Sequence, residues 1–184
     1  EILRVYGYNN VKYSHKLNTS ISFDDFDGVK IENIIANQLA SQGFNETMAN
    51  SLTKASYISL TDNLNSDNDV EILNPLSSDL GVMRQSLLFS GLESVSYNIN
   101  RKKSSLKLFE FGKSYHQFES GRSEQKHLTL FVTGNRTVDN WASEKKTSDF
   151  FYMKGVITTL LQRVGIHKLK TSPTKNDVFS EGIT

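Results

Sequence analysis

Two stretches of extended-chain pattern, residues 107–115 (KLFEFGKSY) and 127–133 (HLTLFVT), limit the fold more than any other feature of the chain. Strand side chains alternate between two faces, so Leu128, Leu130 and Val132 share one side of the second stretch and Phe131 takes the other. The first stretch alternates in part. Its Glu110, flanked by Phe109 and Phe111, points to the opposite face, either solvated or paired with Arg101 or Lys154. The intervening residues 116–126 (HQFESGRSEQK) read as a polar hairpin connection longer than a tight turn. Two strands joined this way pair antiparallel.

Helical periods surround that pair. Residues 29–42 place Ile31, Ile34, Ile35 and Leu39 on one face, with Asp27 as N-cap, Gly43 as stop and Phe44 packing back. A second short helical start is expected at Asn45. Within 80–100 a long helix repeats Gly91, Val95 and Ile99 every four residues, and Leu88 and Leu92 widen the stripe. Asp79 and Ser86 are alternative caps for it, and Arg84 caps or salt-bridges near its start. The last helix runs from about Asp149 to Val164, with Met153, Val156, Ile157, Leu160, Leu161 and Val164 facing the core. Gly165 ends it, and residues 167–171 open a further strand. Residues 55–60 (ASYISL) and 70–73 read as short strands around a polar loop at 61–69. In the loop at 140–147, Trp141 reads as a packing plug. Residues 1–8 look like a helix end closed by Gly7, and 11–22 like a connector. The boundary therefore separates 1–22, the tail of a preceding domain with its linker, from 23–184. Hairpin strands with inserted helices imply an α+β fold, a mostly antiparallel sheet flanked by helices.

The composition narrows function mainly by exclusion. A formal net charge of +1 sets up no global field toward nucleic acid or an anionic membrane. The basic clusters Arg101-Lys102-Lys103 and Lys145-Lys146 read as solvated loops. The absence of Cys excludes disulfides and thiolate metal sites and fits a reducing compartment. No apolar run reaches membrane-spanning length, and no signal-peptide pattern opens the chain. Beginning at Glu1 without Met and stopping at Thr184 without a closing motif, it reads as a piece of a longer protein.

No glycine loop of the phosphate-cradling kind is present, nor a GxSxG nucleophile motif. The four His, at 15, 116, 127 and 167, lack ligand spacing; His116 and His127 meeting across a hairpin would still need a third ligand. Asp24, Asp25 and Asp27 precede a helix, where negative charge favours the dipole. Asp62, Asp67 and Asp69 lack EF-hand spacing. No catalytic, cofactor-binding or metal residue is assigned.

A series of segments in fixed order is more specific. Glu1-Ile2-Leu3-Arg4-Val5-Tyr6-Gly7-Tyr8 comes first, then Asn74-Pro75-Leu76-Ser77 and Met83-Arg84-Gln85-Ser86-Leu87-Leu88, with Asn98 and Arg101 following. Leu108-Phe109-Glu110-Phe111-Gly112-Lys113-Ser114-Tyr115 is the most recognisable strand, and Gly134, Trp141 and Asp149-Phe150-Phe151-Tyr152-Met153-Lys154-Gly155 complete the series. Together they resemble the catalytic-like module of bacterial phenylalanyl-tRNA synthetase β subunits, over nearly the whole chain. The resemblance implies a class II aminoacyl-tRNA synthetase core, incomplete at its C-terminal end, and a cytoplasmic assembly of two α and two β subunits. In that family the α subunit activates phenylalanine with ATP and transfers it to tRNA, while the β module packs against α. ATP and magnesium are thus expected for the whole enzyme and no cofactor for this piece.

Two departures bear on activity. Phe89-Ser90 stand where the family usually has Pro-Gly. Catalytic class II domains place an Arg after a similar Gly-x-x-Tyr strand to hold the α-phosphate of ATP, and here that place falls to His116, without the guanidinium fork. The third class II motif would fall beyond Thr184. Glu1 matches a position the family uses for magnesium, but its partner carboxylates are missing. The resemblance therefore implies a non-catalytic structural module. A nucleotide-binding pseudo-synthetase with a pocket beside Tyr115 and His116 is one alternative; direct tRNA binding through residues 101–103 and 145–146 is another.

Overall fold

The computed structural model describes residues 1–12, 16, 19–20, 27–137, 141–142 and 145–184. Its central element is the antiparallel hairpin of β5 (Leu106–Phe118) and β6 (Gly121–Thr133), thirteen residues on each side. Phe118 lies opposite Gly121, so only Glu119 and Ser120 make the turn. Gly121 takes φ +130, a conformation that favours glycine. The expected long connection is therefore a tight one. Its polar residues stay extended because the ladder satisfies their backbone, and most of them are exposed.

The chain enters this sheet through a helix stop. Helix α2 (Gly28–Ser41) starts on Asp27, whose Oδ1 accepts from the Lys30 N–H at 3.0 Å. It ends where Phe44 N–H donates to the Leu39 carbonyl and Gly43 N–H to that of Ala40, both at 3.0 Å. Gly43 is left-handed, φ +84, and Phe44 folds back to only 3% exposure. That reversal sends β1 (Asn45–Glu46) along β5, parallel, with Asn45 opposite Leu108. The helical start expected at Asn45 is thus a strand, since the free edge of β5 offers its backbone partners.

A second sheet orders β2 (Leu52–Thr53), β4 (Val82–Met83) and β3 (Val70–Glu71) antiparallel, β4 in the middle. Residues Ala55–Leu60 form a 3-10 helix rather than a strand. Ser59 Oγ bonds back to the Ser56 carbonyl at 2.8 Å, a local bond that competes with extended structure. Helix α3 (Leu88–Ile99) follows, with Ser86 Oγ accepting from the Leu88 N–H at 3.2 Å, while Asp79 belongs to an earlier short turn. Helix α4 (Phe150–Arg163) is capped by Asp149, which accepts from the Tyr152 N–H at 2.8 Å. At the front, α1 (Ile2–Tyr6) ends as expected at Gly7, φ +88, and buries none of its residues.

The hairpin has a different cover on each face. Phe109, Phe111, Leu128, Leu130 and Val132 pack under Leu39 of α2 and Val156 and Leu160 of α4. On the other face Leu106, Leu108 and Phe131 meet Val95 of α3. Gly91 makes this approach possible, since a Cβ there would lie 2.0 Å from the Phe131 ring. Each buried Phe or Leu contributes about 1.5–3 kcal/mol. The apolar stripes are narrower than the sequence suggests: Ile99, Leu92, Ile157 and Val164 are 47%, 44%, 40% and 37% exposed.

The C-terminal residues return to the second sheet's side. β7 (Pro173–Thr174) pairs with β8 (Gly182–Ile183), while residues 167–171, expected to open a strand, have no regular structure. Asp177 clips this segment to residues 61–63. Its Oδ1 accepts from Thr61 Oγ1 at 3.0 Å and Asn63 Nδ2 at 2.8 Å, and its Oδ2 from the Asp62 N–H at 2.6 Å. The Asp62 N–H bond, first among the causes, holds the Asp177 carboxyl below the usual aspartate range. A depressed folded-state pKa means the clip contributes fully above about pH 4 and is lost as pH falls through the lower, folded value. Amide NMR of Asp62 and Thr184 is expected to report that loss on acidification, and Asp177→Asn to abolish the pH dependence.

Candidate functional site

The face of the hairpin that carries α3 turns polar beyond Leu108. Glu110, Gly112, Ser114 and His116 follow along β5, opposite Thr129, His127, Gln125 and Ser123 of β6. Arg84, just after β4, lies on this row. Its backbone is fixed from both sides: its N–H donates to the Ser51 carbonyl, and its carbonyl accepts from the Tyr115 N–H, each at 2.9 Å. The guanidinium donates through Nη1 to Glu110 Oε1 at 2.8 Å and through Nε to the Lys113 carbonyl at 3.0 Å. Ser90 Oγ, at 3.3 Å from Nη1, ties it to α3.

Both partners are buried, Arg84 at 3% and Glu110 at 2% exposure. Glu110 is therefore paired with Arg84, not with Arg101 or Lys154, which are exposed. Arg101 instead lies 3.3 Å over the Tyr97 ring and donates to its carbonyl. Gly112 makes the pair possible. A Cβ there would stand 2.3 Å from Arg84 Nη2 and 2.6 Å from Leu87 Cδ2. Glu110 Oε2 is buried with no hydrogen-bond partner among the described residues. A buried carboxylate with one arm unanswered depends heavily on its single cation.

Farther along the row, Ser114 Oγ and His127 Nε2 are 2.8 Å apart. Ser114 is 2% exposed, so its hydroxyl serves the sheet rather than an incoming electrophile. His116 stacks on Phe118, centroids 5.8 Å apart and planes within 7°. It pairs with Ser123 across the hairpin and His127 with Gly112, so the two imidazoles do not converge. Among the described residues no three His, Asp or Glu group around a common point; His15, Asp24 and Asp25 lie outside them. Asp62 and Asp69 serve loops, the first through its N–H to Asp177 and the second accepting from Gln85 Nε2 at 2.6 Å. Burial, ahead of other causes, raises the Asp69 carboxyl. Glu1 pairs with Arg4, at 3.3 Å on the surface. Trp141, expected as a plug, is 99% exposed.

Sequence reasoning missed a cleft of about 730 Å³ between residues 47–54 and α3. Lys54 stands on its wall, 4.0 Å from Asp79 and 3.9 Å from Glu93. Beside it the Tyr57 hydroxyl donates to Glu93 and its ring stacks on Phe89 at 4.9 Å. The bond to Glu93, with burial second, pushes the Tyr57 phenol up to about 12. Lys54, Tyr57 and Glu93 are dispersed in sequence, and no spacing rule joins them. Their groups satisfy one another, which makes the cleft a braced wall rather than a reactive centre.

The model of the phenylalanyl tRNA synthetase beta chain CLM domain matches residues 24–184. The chain belongs to this family. The phenylalanine–tRNA ligase beta subunit of Bacteroides thetaiotaomicron is 39% identical over 198 residues, covering 100% of this chain and 24% of that protein. That of Porphyromonas gingivalis is 35% identical with the same coverage. The CLM chain thus spans about a quarter of the length of the curated relatives it matches. A pyrrolysyl-tRNA synthetase structure from Desulfitobacterium hafniense superimposes with TM-score 0.61 at 16% identity, over 84% of this chain and 52% of that one. An ATP phosphoribosyltransferase regulatory subunit/histidyl-tRNA synthetase from Bacillus halodurans gives 0.56 at 13%, over 87% and 41%. At such identities the likeness establishes the fold alone, an α+β class II synthetase core.

In this CLM fold Arg84 holds the strand-to-helix segment to the hairpin. Arg84→Met is expected to destabilise by about 3–5 kcal/mol in urea unfolding, because Glu110 is left charged and buried. Adding Glu110→Leu should return most of that loss, since an apolar pair removes the desolvation cost from both sides.

Proposed function

We propose that this CLM chain is a non-catalytic structural module of a phenylalanine–tRNA ligase. It packs against an α subunit, in an assembly of two α and two β subunits, that attaches phenylalanine to tRNA with ATP and magnesium in the cytoplasm. On this reading residues 1–22 are the tail of a preceding domain with its linker, and a family match beginning at residue 24 supports that division.

One observation carries the proposal. In the sheet position where the class II resemblance calls for a phosphate-holding arginine stands His116, stacked against Phe118. Arg84, the arginine on the same face, already serves Glu110, Ser90 and the Lys113 carbonyl. A guanidinium so engaged and 3% exposed has no fork left for a triphosphate. Apolar side chains turned to solvent support a partner surface. Phe151, Phe150 and Ile157 of α4 are 76%, 47% and 40% exposed, and Val29 of α2 is 65% exposed. Among the described residues no helix is long and apolar enough to cross a membrane.

The expected outcome is no phenylalanine-dependent exchange between ATP and pyrophosphate by the purified chain, and co-purification with an α subunit when the two are expressed together. Exchange activity free of α, or saturable micromolar ATP binding by calorimetry, would overturn the proposal.

A further inference from the structure

Residues 172–184 form a strap beside the start of α3. Its ends are tied together, the Ser172 N–H donating to the Thr184 carbonyl at 2.7 Å and the Thr184 N–H to the Ser172 carbonyl at 2.9 Å. β7 and β8 pair within it, and Asp177, between them, fastens it to residues 61–63. Where strap, loop and helix meet lies a pocket of about 140 Å³, walled by Leu64, Leu88, Phe89, Val178 and Phe179. No described residue of its lining is charged. The cleft on the other side of α3, by contrast, carries Lys54, Asp79 and Glu93.

The walls are braced from outside. Tyr57 stacks on Phe89 with planes within 17° and is itself anchored to Glu93. Gln85, buried, donates through Nε2 to the Asn65 carbonyl at 2.8 Å, and its Oε1 accepts from the Asn65 N–H at 3.4 Å, which fixes the residue next to Leu64. Asp177 holds the third wall, since Val178 and Phe179 follow it directly. Those two remain 36% and 50% exposed, so the strap leaves the pocket open to solvent. A cavity already formed costs a ligand little in ordering.

Size and chemistry define the occupant. An apolar cavity of about 150 Å³ admits one benzene ring. Phe89 and Phe179 offer the ring contacts that an aromatic ligand favours. Ser86 and Asn176 line the same pocket, and each has a donor unspent among the described residues. Ser86 Oγ accepts from the Leu88 N–H at 3.2 Å, so its own hydrogen remains to be given. Asn176 Oδ1 accepts from the Val178 N–H at 2.8 Å, which leaves its amide hydrogens. A site with no charged group does not repay the desolvation of an ion, and unspent donors call for an acceptor.

We propose that this pocket binds a small uncharged aromatic molecule, a single phenyl-sized ring bearing a hydrogen-bond acceptor, with the ring against Phe89 and the acceptor toward Ser86 and Asn176. The site is independent of the scaffold role: either reading stands if the other fails.

The test uses the full-length protein and 4-fluorophenol, followed by fluorine NMR. A saturable shift of the probe is expected, reversed by unlabelled phenol. Leu64→Phe and Leu88→Phe fill the pocket from different walls, and each is expected to weaken binding by about tenfold or more while thermal stability holds. Asn176→Asp keeps an acceptor for the Val178 N–H but loses the amide donor. It should weaken 4-fluorophenol by about two- to tenfold, the worth of one hydrogen bond, and leave 4-fluorotoluene, which has the shape without the acceptor, unchanged. A loosened strap would not split the two probes in this way; Asp177→Ala, which unfastens it, should weaken both alike. Tyr97→Phe, in the cleft on the other side of α3, should alter neither. No saturable shift, unchanged affinity in both filled variants, an equal effect of Asn176→Asp on the two probes, or an equal loss with Tyr97→Phe would each overturn the proposal.

Discussion

Glu110 sits in the middle of a sheet face where water does not reach, and its charge must be answered from another element. Arg84 supplies the answer, from a segment that is neither strand nor helix. The pairing joins three parts of the molecule: the second sheet, which ends at Met83; α3, which begins at Leu88; and β5. It also fixes register. A slip of one residue in β5 would turn Glu110 toward Phe44 and Leu39 and leave Arg84 facing Phe111. Buried ion pairs are poor sources of net stability because both ions lose their hydration. Here the pair specifies which arrangement of segments can exist at all, and Gly112 is the space that permits it.

That same structural use bears on function. In a synthetase fold the polar row of the hairpin is the natural place for charge complementary to a nucleotide. This chain spends its buried guanidinium on an internal carboxylate, and the outer end of the row holds an imidazole stacked on a phenyl ring. Local chemistry on this face is turned inward, to the fold itself. Such a face suits a module whose work lies in shape and contact, and the outward Phe150 and Phe151 of α4 fit that role.

Much of this was legible in the sequence wherever a local rule suffices. Asp27, Asp149, Gly7 and Gly43 cap or stop helices where their types predict, because capping involves only a few neighbouring residues. Phe109 and the Leu128, Leu130, Val132 set fall on the expected face for the same reason. Errors arose where a distant partner decides. Asn45–Glu46 became a strand because β5 had a free edge, and residues 116–126 stayed extended because their opposite numbers did. In sequence Glu110 reads as either solvated or paired with Arg101 or Lys154, and its actual partner, 26 positions upstream, goes unnoticed, since nothing at Arg84 announces its target. The signal that could have found it is Gly112, a glycine inside a strand two residues from an acid and so a mark of close approach by another group. Trp141 was misread because large aromatics are usually buried; its 99% exposure shows a general tendency failing at one position.

Charge offers a last instance of the gap between a count and a fold. A net of +1 describes the chain as a whole, and the basic clusters look in sequence like two unrelated loops. The hairpin undoes that independence. α3 ends just before β5 begins, and β6 ends where the chain turns toward α4, so three termini meet at one edge of the sheet. Lys102 and Lys103 arrive from the first, Lys107 from the second, Arg136 and Lys146 from the third. Several carboxylates are drawn elsewhere, Glu110 into the core, Asp177 onto the 61–63 turn and Glu93 against Tyr57, while Asp149, besides capping α4, answers Arg136 at this edge. Topology, rather than composition, thus gathers the basic groups. An antiparallel hairpin flanked by helices brings the starts and ends of successive elements together at its open end, and the side chains there combine into a surface that no stretch of sequence contains.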